Sequence, residues 1–414
     1  MNKLEVHTNE NVLSGTIHVL TDKENQIYTP MYPQTSKELV KGIENVDNIA
    51  DVNKHVARAT GDSQDNNIIS TYVKKDTIEI RYRKSSTTYN IGDIVYLSTL
   101  SPEKKLVCIK AGTTGSGNLT ASNIAEGVLI TDGSAVWMMD SLADGIYDAA
   151  HQNGIYRGAD ITAYWDSGYM STNIRAGKFV GMHIGDYITK TVNLSAITYT
   201  NKAGNSQSQE AQTFNNVKWL LAAFDPHIYC GESGKSTESH HTLIIPSTTL
   251  QRNVSMNPTN TTEGGYLGSD MWRIYMPNWV SAIKSAFGSE HILQHKELLT
   301  NAINTTANTS GNPGSPGATS NYAFVDVEVN IPNENMVYGG NVFASSGHDT
   351  GDFSRILPLF ALKCSHLYDR SWFWLRSVAS ISAFGYANRN GEATYRNAST
   401  VYDAGGIRPY FLLY

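Results

Sequence analysis

The chain has 414 residues, enough for two or three domains that each bury a core of their own. Its formal charge of −6, with no stretch that concentrates Lys and Arg, excludes a surface that tracks a phosphate backbone, so no nucleic-acid partner is expected. Only 17% of residues are charged while Asn, Ser, Thr and Gly abound, which favours a β-rich, loop-rich protein.

The three cysteines, Cys108, Cys230 and Cys364, are scattered and cannot form a disulfide framework; they read as buried or idle thiols. The first residues lack the charged and apolar regions of a signal peptide, and no uninterrupted apolar segment approaches ~18 residues. Synthesis in a cytoplasm, without the usual secretion route and without membrane insertion, is the expectation.

Residues 13–28 alternate loosely through Ile17, Val19 and Thr21 and predict a hairpin-like opening. Residues 32–53 carry few large apolar side chains, so they predict either a flexible polar leader or, the favoured reading, a segment that folds against neighbouring copies or a socket in a larger particle. Residues 61–67 are a linker by composition, closing a first region at 1–65. Strand signals follow at 68–72, 77–82, 94–97, 106–109, 128–131 and 136–138, separated by Gly, Asn, Ser and Pro clusters. They make 66–139 a small all-β module in which Tyr96 and Trp137 are core aromatics.

From residue 140 to 414 the pattern is α+β. Short helices are expected at 144–151 and 171–176, the second capped by Ser171. Ser269 is placed to cap a longer helix whose Trp272, Tyr275, Met276, Trp279, Ile283 and Phe287 form one apolar stripe. Strands are expected at 219–224, 242–246 and 325–331, the last from the alternation of Val325, Val327, Val329 and Ile331, with a surface loop over 304–321.

Candidate chemistry is thin. His240 and His241 with His227 and Asp225 offer metal ligands, but adjacent strand residues point to opposite faces, so a structural role is expected. His291 and His295 stand four apart on an expected helix without the Glu that a zinc protease needs. Asp166, Asp186, Asp225 and Glu232 include possible glycosidase carboxylates, but their separations are not legible in sequence. No phosphate loop, nucleophile elbow or paired-cysteine motif is present; no metal and no cofactor are expected, and an enzyme is not the favoured reading.

The last stretch organises the rest. Trp372, Phe373, Trp374 and Leu375 form one short apolar run and residues 409–414 another. Between them, 378–403 are rich in Ser, Ala, Asn, Tyr and Gly, the composition of an adaptable macromolecular binding surface. The side chains expected to choose a ligand are Ser380, Ile381, Ser382, Phe384, Tyr386, Asn388, Asn390, Glu392, Thr394, Tyr395, Asn397, Ser399 and Tyr402, framed by Trp372, Trp374, Arg376, Arg408 and Pro409.

The Trp374-Leu375-Arg376-Ser377 strand, the polar run and the closing Gly406-Ile407-Arg408-Pro409-Tyr410 resemble the C-type-lectin-fold variable domains of phage and bacterial proteins diversified by retroelements. Segments at 160–168, 185–188, 240–241, 260–272 and 333–339 resemble parts of phage fibre proteins with that domain, and 42–48 resembles a segment near fibre shafts and collars. Residues 89–96 and 110–115 resemble small carbohydrate-binding modules, although a spacer role is the first expectation for 66–139.

The resemblance implies a multidomain α+β protein: a β-rich virion anchor and oligomerisation segment (1–65), a small all-β module (66–139) and a C-type-lectin-like, formylglycine-generating-enzyme-like domain (140–414). It implies a tail or head fibre, located in the virion, that attaches to a bacterial cell-surface glycan or protein. It also implies contacts with other virion proteins through the N-terminus and a homo-oligomer, most simply a trimer. The runner-up is a fibre-borne polysaccharide depolymerase; an oxidase of the formylglycine-generating kind would need more cysteines near the C-terminal site than Cys364.

Overall fold

The strand Gln212–Phe224 changes character halfway, and the fold follows from that change. Its second half, Trp219 to Phe224, is buried at every position, as expected for a strand covered on both faces, whereas its first half is largely exposed and polar. The buried half lies inside an antiparallel five-stranded sheet in the order Tyr187–Leu194, Gln212–Phe224, Thr242–Pro246, Tyr410–Leu413, Val329–Asn330. The C-terminal strand is thus a central one, which is why residues 410–413 are all apolar or aromatic and buried.

The computed structural model describes residues 82–100, 104–119, 124–140, 147–231, 236–302, 321–344, 355–367, 371–401 and 405–414, together with the backbone of five short strands before residue 82. Two compact units result, Met1–Arg81 and Tyr82–Tyr414. In the first, Ile17–Asp22 pairs antiparallel with Ile27–Met31, where the sequence predicts a hairpin. The predicted strand at 68–72, the surface loop at 304–321 apart from Asn321, Glu232 and Tyr402 lie outside the described residues.

The second unit is strand-rich, with several small sheets and short helices. Residues 82–139 belong to it rather than standing apart. The small sheet Leu129–Asp132, Ala135–Asp140, Lys105–Lys110, Ile94–Val95 has two buried faces. Side chains alternate across a strand, so Val107, Ile109, Val136 and Met138 join the main core while Leu106, Cys108, Trp137 and Met139 form a second, smaller one. Trp137 is fully buried, edge-on to Tyr89 with ring centroids 5.0 Å apart, and donates to Asp132. Burial pushes the Cys108 thiol up to about 12, which keeps it protonated and inert.

The main core is closed by the helix Met276–Phe287, whose Trp279, Ile283 and Phe287 are buried as the stripe predicts. Phe287 packs 5.8 Å from Trp219 and 5.0 Å from Phe411, ring centre to ring centre. The Ser269 hydroxyl accepts the Trp272 amide at 3.2 Å, as expected of a cap, although the first turn, Met271–Tyr275, is wound as a π-helix. Among the described residues no helix is long and apolar enough to cross a membrane.

Four local expectations need correction. The second short helix spans Tyr169–Arg175 and starts after Gly168 at φ 77°, so Ser171 lies within its first turn, its hydroxyl donating to Gly168 O, and does not cap it. Of the first, residues 144–146 lie outside the described residues; the described helix there is Ala149–Gln152, starting after residues 147–148 and capped by Asp148, whose carboxylate accepts the His151 amide. The strand expected at 325–331 is two, Asn321–Val327 and Val329–Asn330, broken at Glu328 where the chain leaves its hairpin with His295–Ala302 to join the central sheet. His295 therefore opens a strand and His291 ends a short 3-10 turn; their spacing of four is coincidental.

Candidate ligand-binding surface

The strand Trp372–Val378 is buried along its whole length. It lies between Ala383–Ala387 on one side and, in parallel, Gly405–Gly406 on the other, and Ala393–Asn397 forms the outer edge. The two glycines are required by close approach. A Cβ at Gly405 would fall 1.7 Å from the Trp372 ring, and one at Gly406 1.9 Å from Gln251 O. Trp372, Trp374 and Tyr386 then pack edge to face, with centroids 5.0 to 6.3 Å apart, and the Trp374 indole N–H reaches Val254 O at 2.9 Å.

Register slips between Trp374 and Val378, where Trp374 faces Tyr386 but Val378 faces Phe384. Such a bulge re-aims a side chain. Here it brings Arg376 inward, 3.1 Å from Glu297, both fully buried. Glu297 also accepts from His295 Nε2 at 2.6 Å, the Tyr410 hydroxyl at 2.6 Å and Asn330 Nδ2 at 3.0 Å. Burial alone would raise its pKa, but the guanidinium and the His295 hydrogen bond prevail and hold it below the ordinary carboxylate range. Arg408 is the second buried cation: its Nε donates to Pro246 O at 2.9 Å, Nη1 donates to His366 O at 2.8 Å, and its guanidinium sits near the Phe360 and Phe373 rings. Together with buried Pro409, these residues form the rigid frame expected from sequence.

On this frame the predicted ligand-contacting residues separate into two groups. Ser380 and Phe384 are fully buried and Tyr386 is 7% exposed, so these three belong to the core and not to the contact surface, contrary to expectation. The physical reason is that both faces of Ala383–Ala387 are covered, which the mixed sequence of that strand does not reveal. Ile381, Ser382, Asn388, Thr394 and Ser399 are half-buried, while Asn390, Glu392, Tyr395 and Asn397 are exposed. Asn388 and Glu392 spend their polar groups on the hairpin turn, where the Asn388 carbonyl accepts the amides of Asn390 and Glu392 and its amide donates to Glu392 Oε2 at 2.7 Å. Ser399 donates to Asn260 at 2.5 Å, and the Thr262 hydroxyl to Ser380 O at 2.6 Å, so residues 260–262 brace the loop from behind.

Sequence reasoning missed one neighbour. Buried Glu334 accepts the amides of Val342, Phe343 and Ala344 and fixes that segment beside the edge strand. Phe343 comes within 5.2 Å of Tyr395, centroid to centroid; Val342 is 50% and Tyr395 42% exposed. Two adjacent large apolar residues after Gly339-Gly340-Asn341 were the signal that could have found it.

The other candidates are occupied structurally. Asp186 is buried and accepts from Arg157 at 2.6 and 3.0 Å and from the amides of Ala159 and His183. Exposed Asp166 pairs with Lys190 at 2.7 Å. Asp225 accepts from His240 Nδ1 at 2.6 Å and from the His241 amide at 2.8 Å, so the adjacent histidines do point apart: His240 is 38% exposed and His241 fully buried. His227, His295 and Glu297 bring three potential metal-ligand atoms within 4.8 Å of one another. Arg376 already neutralises that carboxylate, and a cation there would stand beside a guanidinium, so the donor set fits a closed ion-pair network rather than a metal. In the small sheet, half-buried Tyr96 and 53% exposed Tyr82 border a cavity of about 260 Å³.

Burial pushes His241 down to about 3 from its ordinary 6.5, and burial with the nearby His295 also lowers His227 well below that value. Each is neutral in the folded state and takes up a proton on unfolding once pH falls below about 6.5. Stability is therefore full above that pH and falls by roughly 2.7 kcal/mol per pH unit below it for the two together, until the folded pKa values are reached. Denaturant melts at about pH 7.5 and 5.5 check this; equal midpoints would contradict neutral burial.

No family model matches the chain, and neither a curated protein nor a solved structure matches it.

Proposed function

We propose that the protein is a fibre subunit of a phage particle that attaches to a bacterial surface glycan or protein through the outer edge of its C-terminal sheet, within a C-type-lectin-like domain. The observation that carries this reading is the contrast across that sheet. A strand buried at every position, Trp372–Val378, locks the frame, whereas the edge hairpin presents Asn390, Tyr395 and Asn397 with Phe343 and Val342 beside them. Exposed aromatic, amide and hydroxyl groups on a rigid support suit recognition, since the ordering cost is met before the ligand arrives. Substitution at these positions touches no core residue, which is the property a diversified surface requires.

In this reading residues 1–65 join the particle and associate copies, most simply as a trimer, and the protein acts by binding rather than by catalysis. Removing residues 1–60 should leave a soluble protein that still binds cells but no longer enters particles. Light scattering that gave a monomer mass for the full chain at micromolar concentration, or release of reducing ends from capsule or wall by the purified protein, would overturn the corresponding part.

A further inference from the structure

We propose that a second cleft, on the polar half of the strand Gln212–Phe224, binds an acidic saccharide. The neighbouring strand Thr242–Pro246 pairs with it only as far as Trp219 opposite Pro246; beyond that the chain turns away, with the Ser247 amide on Lys218 O at 2.8 Å. The opening left beside residues 212–218 is a cleft of about 690 Å³ walled on the far side by residues 247–252.

The charge of this cleft is one-sided. Lys218 and Arg252 line it and, among the described residues, no carboxylate does, on a chain whose formal charge is −6. Both cations are held in place, and among the described residues neither has a carboxylate partner. The Lys218 ammonium lies 4.3 Å over the Tyr187 ring, and the Arg252 guanidinium donates to the Ser371 hydroxyl at 2.9 Å. An anion entering here meets the Arg252 guanidinium, able to grip a carboxylate with two N–H groups, with the Lys218 side chain on the facing strand.

The rest of the lining selects the kind of anion. Exposed Asn215 and Asn216 and the Thr248 hydroxyl offer donors and acceptors suited to sugar hydroxyls. Half-buried Phe214, stacked on Trp279 with centroids 5.7 Å apart, supplies an apolar ring beside them. Two cations are too few for the counterion-release affinity that a nucleic acid needs. A carboxylated sugar matches all three features at once: charge for Lys218 and Arg252, hydroxyls for the amides, and C–H faces for Phe214. The proposal stands apart from the C-terminal sheet, which this cleft meets only through the wall that carries Arg252.

The test is calorimetry on the full chain with a galacturonic acid tetramer, a neutral maltotetraose, inorganic phosphate and a tetra-aspartate peptide as probes. The uronate tetramer should bind, and should weaken by about tenfold or more as NaCl rises from about 50 to 300 mM. It should also weaken by about tenfold in the Lys218→Gln, Arg252→Gln double variant, and the other three probes should bind at least about tenfold more weakly. Lys218→Gln alone, at an exposed position, gives the same readout with a smaller loss if the double variant misfolds. Tyr395→Ala should leave uronate binding unchanged while altering attachment, which separates this proposal from the function above. No saturation at millimolar uronate, equal binding of any comparison probe, or full affinity in the charge variants overturns it.

Discussion

Replacing Arg376 by alanine is expected to destabilise the Tyr82–Tyr414 unit by about 3–5 kcal/mol, because it strands the buried Glu297 carboxylate without its guanidinium. His295, Tyr410 and Asn330 would still donate to Glu297, but hydrogen bonds alone do not neutralise a charge in a core. The carboxylate would then tend to protonate, so the variant should lose less stability at low pH than at neutral pH. Removing both charges, in Arg376→Met with Glu297→Gln, should recover much of the loss, since a neutral pair no longer carries the desolvation cost. Denaturant midpoints of the two variants beside the parent decide the matter. A single variant as stable as the parent would show that the pair contributes nothing.

Trp374→Ala and Phe384→Ala should each cost about 3–5 kcal/mol, as expected for large aromatic side chains removed from a core that cannot collapse around the gap. Trp374 is enclosed by Trp372 and Tyr386 and tied to Val254, so its loss opens the centre of the frame. Phe384 is the sharper case. The composition of its loop predicts a ligand anchor, whereas its full burial predicts a folding defect. Thermal melts distinguish the two: a Phe384→Ala protein that melts with the parent and merely binds less would contradict its place in the core.

What the sequence made legible depended on whether a signal was local. The apolar runs at 219–224 and 242–246 are strands over those residues, and the Trp279, Ile283 and Phe287 stripe is the buried face of its helix, because one element contains the whole pattern. The Trp-rich frame was visible for the same reason. The Glu297 network was not, since its partners stand 33 and 113 residues away and only folding brings them together. The division of the C-terminal loop into buried Ser380, Phe384 and Tyr386 and outward Asn390, Tyr395 and Asn397 was hidden too. One strand of that hairpin is covered on both faces and the other forms an edge, and their compositions are alike. Nor could spacing distinguish His291 and His295 on a helix from a turn followed by a strand.

The outer edge of the C-terminal sheet as the attachment surface is the central claim, and cell attachment by a surface variant tests it most directly. A labelled protein carrying Phe343→Ala, Tyr395→Ala and Asn397→Ala, substitutions confined to partly or fully exposed positions, is compared with the parent on bacteria that the parent binds. With an unchanged melting midpoint, attachment should weaken by at least about 1–3 kcal/mol, or roughly 5- to 150-fold in apparent Kd, as expected when aromatic anchors are lost from a rigid support. A variant that folds and attaches as well as the parent would contradict the account.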